Sequence, residues 1–325
     1  MPPHDPARRP NGADRGLRHS GGYLGDLRHP RGRDRERRLA SLGPAGGGAA
    51  LTVQPTVSLE QYKAEGFLEL PGFFEREEVE QVRRDAKDVF LVQLRRHGLV
   101  SAGDASEEEL DQGMFELFRS HPQDLFNCGK QAQHLISLHR LSLDHRIENM
   151  LQQLGLEFPC ISTRPVLFFN SRHLAKEKVH WKVFPHQDWR SMQGSLDSMI
   201  VWLPLSDIDV ALGALEIVPG SHKLGLVETE VVESFFGKVE EFTDDDFVPV
   251  PVSQGDVLFM SAFLVHRSGN NVTETIRWSC HFRYNNLDER TFIDRGYPHA
   301  YVYKPVDGLI TPGFPTREQL DDVFG

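Results

Sequence analysis

Long apolar runs are missing from this chain of 325 residues. Nothing approaches the roughly 18 consecutive apolar residues of a membrane-spanning helix, and no early apolar stretch could serve as a signal-peptide core. Membrane insertion and secretion are therefore not expected. Cysteine is scarce as well: Cys128, Cys160 and Cys280 are the only 3, they lie far apart and they form no CxxC. That spacing offers neither a disulfide framework nor a cysteine zinc site, and the expected setting is a reducing cytoplasm. The Asn-Val-Thr at Asn271 is then a chance match and not a glycosylation acceptor. Lysine is absent from residues 1–50, which carry ten Arg and five acids; the formal charge there is +5, against −11 for the whole chain and −16 for the remainder. An acidic body argues against a nucleic-acid partner, because phosphate affinity comes from clustered Lys and Arg.

Those first fifty residues hold ten Gly and six Pro and show neither apolar period. They cannot bury enough surface to offset the entropy of ordering. Residues 1–52 are expected to be a disordered tail, either a dispensable segment or translated sequence upstream of the true start, and residues 53–325 a single domain. From Glu75 to Arg96 the apolar positions Val79, Val82, Ala86, Val89, Phe90 and Leu94 recur at spacings of three and four, which predicts a helix. Helical patterns also run over 106–119 and 130–154. The pattern changes after Gly155. Arg164–Phe169, Ser198–Leu203, Ala214–Val218, Asp256–Met260 and Thr275–Tyr284 are short, rich in β-branched or aromatic residues and bounded by turn residues, which predicts strands. The fold class is thus α+β, a two-sheet sandwich or jelly roll with the earlier helices packed outside one sheet. Residues 223–248 form a long connection between core strands, where a lid is expected.

The chemistry centres on Phe184-Pro185-His186-Gln187-Asp188-Trp189. On an extended segment, His186 and Asp188 leave the same face of the sheet, so an imidazole and a carboxylate can share an ion. His266, closing the apolar segment Val257–Val265, supplies a third donor. Two histidines and one carboxylate leave coordination positions open, the arrangement of non-haem Fe(II) oxygenases, whereas a structural zinc site fills its shell with protein ligands. An HxD taken alone reads equally as a solvated turn. Eleven residues after His266 comes Arg277, with the turn sequence Ser268-Gly269-Asn270-Asn271 between them. A hairpin of that length brings Arg277 back beside the metal-bearing strand, where a buried guanidinium needs an anion. A dicarboxylate cosubstrate bridging metal and arginine would satisfy it; so would an internal salt bridge to Glu274 or Asp288.

Over about residues 57–300 the chain resembles the phytanoyl-CoA dioxygenase family of Fe(II)/2-oxoglutarate oxygenases. The resemblance rests on Gly66-Phe67-Leu68-Glu69-Leu70-Pro71-Gly72-Phe73-Phe74, His186-Gln187-Asp188, Trp202 to Asp207, Gly213-Ala214-Leu215, Pro219-Gly220-Ser221-His222, His266-Arg267-Ser268, Arg277 and Ser279-Cys280-His281-Phe282. It implies a double-stranded β-helix core, cupin-like in its architecture. It also implies that His186, Asp188 and His266 ligate Fe(II), that Arg277 and Ser268 hold the distal carboxylate of 2-oxoglutarate, and that Trp202 and Lys130 contribute to the cosubstrate pocket. The expected reaction consumes O2 and 2-oxoglutarate and hydroxylates a small-molecule substrate with release of succinate and CO2. Two other readings stay open: a cupin-like metal enzyme that does not use 2-oxoglutarate, and a non-catalytic binding member of the fold. His180, His222, His281 and His299 are read as structural, and Trp181, Phe184, Trp189 and Arg190 as core packing around the metal motif.

Overall fold

The computed structural model describes residues 58–101, 103–175, 183–230, 237–298 and 312–325. The expected tail, and His180, Trp181 and His299, lie outside the described residues.

The first described helix, Leu59–Glu65, is capped by the Ser58 hydroxyl accepting from Gln61 N–H and ends at Gly66 with φ 81°. That glycine is required twice over. Its backbone is left-handed, and a Cβ there would meet the His222 ring at 2.4 Å. The predicted long helix is Arg76–Arg96, with Glu75 and Glu78 forming a capping box, and it buries Val79, Val82, Ala86, Phe90 and Leu94. The pattern over 106–119 becomes Glu107–Ser120, again begun by a capping box, Ser106 with Glu109.

The run predicted over 130–154 is not one helix. It breaks into the end of Pro122–Ala132, then Ile136–Ser142 and His145–Gln153. Asp144 explains the second break, capping the last helix by accepting from Arg146 N–H at 2.8 Å. Pro122 sits at the start of its helix, where no N–H is needed.

The described residues hold ten strands: β1 Phe67–Leu70, β2 Pro159–Asn170, β3 Met199–Pro204, β4 Leu215–Ile217, β5 Thr229–Glu230, β6 Lys238–Val239, β7 Val248–Val250, β8 Val257–Ser261, β9 His266–Ser268 and β10 Arg277–Asn286. A five-stranded antiparallel sheet has the order β1-β8-β3-β10-β2, and a three-stranded one has the order β7-β4-β9. The connection read as a lid contains the small β5–β6 hairpin and ends at the first residue of β7; its residues 231–236 lie outside the described residues.

Strand alternation sorts the residues into two cores. Val201 and Leu203 of β3, Phe259 of β8, and Trp278, Cys280 and Phe282 of β10 pack against the helices. The intervening Ile200, Trp202, Leu258 and Met260 face the other way and join Leu215, Ile217 and Val250 of the three-stranded sheet. The chain is therefore α+β, with helices on one face of the larger sheet and the smaller sheet on the other. Every second residue of β10 then points away from the helices, and this placement builds the site.

Candidate metal centre and cosubstrate cavity

His186 and His266 exchange both backbone hydrogen bonds, His186 N–H to His266 O at 3.0 Å and His266 N–H to His186 O at 3.1 Å. An isolated antiparallel bridge thus joins two residues eighty positions apart in the sequence. Their rings lie 4.2 Å apart between centroids. The segment is not extended through Asp188, as the reading of an i, i+2 pair assumed. Asp188 is helical, at φ −65° and ψ −28°, and opens the short helix Trp189–Met192. The turn still brings the carboxylate between the two rings, with His186 Nε2 4.0 Å from Oδ1 and His266 Nε2 3.9 Å from Oδ2. One donor atom from each of the three residues lies within 4.8 Å of the others, and all three residues are buried.

The tautomers follow from the backbone. Nδ1 of His186 lies 2.7 Å from Phe184 O, and Nδ1 of His266 lies 3.0 Å from Leu264 O. Each Nδ1–H therefore donates to a carbonyl and each Nε2 is turned to the carboxylate, the ring orientation that metal-binding histidines use. Burial, reinforced by the His266 ring, pulls His186 down to about 3, so its imidazole is neutral. For Asp188 burial works to raise the pKa, but the Arg283 guanidinium and the neighbouring histidines overcome it and hold the carboxyl well below its usual range. Arg283 Nη2 donates to Asp188 Oδ1 at 2.9 Å. Gln187, between the two ligand candidates, points elsewhere: its amide donates to Gly225 O and Phe263 O and accepts from Val227 N–H. It ties the motif to the chain at 225–227.

His186 and His266 open onto a cavity of about 320 Å3 that is also lined by Trp202, Ser268, Arg277 and Ser279. Arg277 is buried, donates to Gly213 O and approaches Ser268 Oγ at 3.5 Å. Both acidic partners considered for it are excluded. Glu274 is engaged by Arg172 and His173, and among the described residues no carboxylate pairs with Arg277. Burial alone pushes its guanidinium down to about 10.

The structure does not bring Lys130 to the cavity. Leu125, Cys128, Gly129 and Ala132 form the buried stripe of the helix Pro122–Ala132, and Lys130 is off that stripe and exposed. Gln133, just past the helix, lines the cavity in its place. Trp189 and Arg190 are buried, as expected of packing residues; Trp189 stacks on Phe263 and Arg190 donates to Val227 O. His222 is structural too, its Nε2 3.1 Å from Lys63 O. Asn271 is buried, and its amide donates to Asn170 O and Thr275 O, which closes it to glycosylation.

Sequence reasoning missed His281 and Arg283. The inner face of β10 presents Arg277, Ser279, His281, Arg283 and Asn285, all buried except for partial exposure at His281. Each carries one buried atom with no hydrogen-bond partner among the described residues: Nε of Arg277, Oγ of Ser279, Nε2 of His281, Nε of Arg283 and Nδ2 of Asn285. Across the ladder, Asn170 pairs with Arg277 and leaves both of its amide atoms unpartnered as well. Native interiors rarely leave such groups unmatched, and four of the β10 residues, Arg277, Ser279, His281 and Arg283, line the cavity, which marks it as a place where ligands bind. Burial and the adjacent Arg283 push His281 well below the ordinary histidine range, leaving it neutral.

Comparison with known proteins agrees with this geometry. The bovine phytanoyl-CoA dioxygenase domain-containing protein 1 is 25% identical over 256 residues, covering 67% of this chain and 86% of that protein. A shorter match, 36% identical over 97 residues, covers 27% of this chain and 34% of the 1-deoxypentalenic acid 11-beta-hydroxylase of Streptomyces exfoliatus. Among solved structures, the epimerase SnoN in complex with Fe3+, alpha ketoglutarate and nogalamycin RO shares the fold, with a TM-score of 0.51 at 18% identity over 79% of this chain and 90% of that one. The family model described as phytanoyl-CoA dioxygenase (PhyH) matches residues 62–279, a span that holds all three candidate ligands together with Ser268 and Arg277, and the chain belongs to that family.

Proposed function

We propose that this chain is an Fe(II)- and 2-oxoglutarate-dependent dioxygenase that hydroxylates a small-molecule substrate, and that its two sheets are the halves of a double-stranded β-helix. The observation that carries the reading is Arg277: a buried guanidinium with no carboxylate partner among the described residues, opening onto the same cavity as two converging histidines. The donor set fits the metal. Two imidazole nitrogens and one carboxylate suit Fe(II) and leave positions for a chelating cosubstrate. Arg277 and Ser268 fit the cosubstrate, because a planar fork of N–H donors binds a carboxylate at two points. Family membership and the relatives described above support the same assignment.

In this reading His186, Asp188 and His266 hold the iron, Arg277 and Ser268 hold the far carboxylate of 2-oxoglutarate, and Trp202 forms a wall of that pocket. The iron with 2-oxoglutarate and O2 supplies the oxidation, coupling decarboxylation to succinate and CO2 with insertion of one oxygen atom into the substrate. The chain's own part is positional. Backbone carbonyls at Phe184 and Leu264 fix the histidine tautomers, and Arg283 holds Asp188 ionised and oriented. The inner sheet faces keep bulk water from the metal. The test is release of succinate from 2-oxoglutarate by the full chain with Fe(II) and O2, across acyl-CoAs, free acids, amino acids and nucleotide sugars. Stimulation by one class is expected. Absence of both 2-oxoglutarate binding and succinate release would overturn the assignment.

A further inference from the structure

The cavity holds more positive charge than the proposed iron and cosubstrate consume. Taken as formal charges, a divalent metal, a dicarboxylate, Asp188 and Arg277 cancel, which leaves the buried guanidinium of Arg283 and that of Arg164, a half-buried residue at the cavity wall with a contact of its own. Among the described residues that line the cavity there is no Asp or Glu, and Asp188, the carboxylate Arg283 touches, has already entered the count. An uncompensated charge in a buried site is costly, so a further anion is called for when the cavity is full.

The place for that anion follows from the strand. Arg277 and Arg283 point to the same side of β10, six residues and roughly 20 Å of backbone apart at ~3.3 Å per residue. Arg277 lies beside Ser268, and Arg283 lies beside Asp188, so the two guanidinium groups flank the triad from opposite ends. Arg283 uses Nη2 on Asp188 and keeps Nε buried and unpartnered. Two residues back on the same face, His281 lines the cavity with Nε2 unpartnered, level with Trp202 across the ladder. The apolar part of the wall is Val166, Phe168, Val183 and Leu215, with Gln133, Ser191 and Arg164 as further polar lining. We propose that Arg283, with His281 beside it, is a second anion-binding pole of the cavity, which takes a carboxylate of the organic substrate. The substrates are accordingly small acids with an apolar body. The inference deepens the oxygenase reading above and rests on it.

The experiment reads binding and not turnover. The full chain is loaded with Mn(II) and saturating 2-oxoglutarate without O2, and tryptophan quenching is followed on titration with hexanoate, octanoate and decanoate and with the matching amides. At least one acid is expected to bind about tenfold or more tightly than its amide, the difference a charge-assisted pair supplies. In Arg283→Gln the ratio should fall to within about twofold, in Arg283→Lys part of it should return, and in His281→Leu it should drop by about threefold. Mn(II) and 2-oxoglutarate affinities are measured on every variant. If no acid outbinds its amide on the wild-type chain, the second pole does not exist. A preference that survives both Arg283→Gln and His281→Leu, or an acid that 2-oxoglutarate displaces, also overturns it. A 2-oxoglutarate affinity that collapses in Arg283→Gln would instead make Arg283 part of the cosubstrate site. Failure of the wild-type chain to bind 2-oxoglutarate at all would remove the underlying oxygenase reading, which the acid-against-amide ratio leaves untouched.

Discussion

The two faces of strand β10 obey opposite rules. Toward the helices it shows Trp278, Cys280, Phe282 and Tyr284, all buried in one apolar core, and the Tyr284 hydroxyl donates to Ser142 O. On the other face it shows five polar residues, each with a buried atom left unmatched, and four of them line the cavity. Unmatched polar atoms cost stability, and matched apolar faces supply it. One face therefore holds the fold and the other is paid for by ligands, and the two should respond to substitution in different observables.

The sharpest way to break this contrast is at the metal. His266→Ala removes one of three donors without emptying the core, so succinate release should fall to background and bound iron should be lost, while the thermal midpoint stays near that of the wild type. Metal analysis beside calorimetry checks this; normal activity with normal iron content would show that the triad is misassigned. On the opposite face, Phe282→Ala should cost about 3–5 kcal/mol of unfolding free energy, read by urea titration, because a fully buried aromatic leaves a cavity. The folded fraction should bind 2-oxoglutarate as before.

Arg277→Gln sharpens the contrast from the inner side. It keeps a donor but loses the charge and the fork, worth about 1.5–3 kcal/mol, so 2-oxoglutarate affinity should weaken roughly ten- to a hundredfold. Unfolding stability should hold or rise, since a buried charge with no carboxylate partner is gone. An unchanged 2-oxoglutarate requirement would return this arginine to a purely structural role.

A buried histidine outside the cavity gives a smaller, pH-dependent effect. Burial lowers His222 to about 4 from 6.5, so between those values the unfolded chain takes up the proton first. The stability it contributes is complete above about pH 6.5 and is lost as pH falls toward 4. In His222→Gln the loss of stability between pH 7.5 and pH 5 should be smaller by about 1–2 kcal/mol, measured by urea titration at the two pH values. The smallest effect is at Ser279, whose hydroxyl has no protein partner among the described residues. Ser279→Ala should change stability by less than about 0.5 kcal/mol, and a larger loss would mean the hydroxyl is structurally bonded.

Much of this was legible in the residues themselves. The alternation through Thr275–Tyr284 announced a strand with an apolar and a polar side, and the spacing from His266 announced the return of Arg277 to the site, but not as the expected hairpin: β9 pairs with β4 and β10 with β2 and β3, so the chain crosses from one sheet to the other and Arg277 meets Ser268 between them. The same alternation places His281 and Arg283 beside Arg277, so their presence at the site was readable from that pattern. Other features depended on tertiary contact. Nothing local to Asp188 names Arg283, 95 residues away, as its partner. The position of Lys130 hinged on helix phase: one residue after Gly129 turns the side chain about 100° away from the stripe that packs on the sheet. Gly129 lies so close to Phe169 that a Cβ there would meet the ring at 2.8 Å, which fixes that phase. The second break in the run over 130–154 came from Asp144 acting as a cap, a local signal that the apolar periodicity overrode.

The backbone bridge between His186 and His266 has a consequence for how the protein acquires its metal. Because the two histidines are stitched to each other through their main chains, the gap between their rings does not depend on an ion to close it. Loading is then a capture event at a ready cradle, and not a step of folding. The amide protons of these two residues should exchange slowly with deuterated solvent whether or not metal is bound, and chelation should strip the ion reversibly, with activity returning at the rate of ion binding.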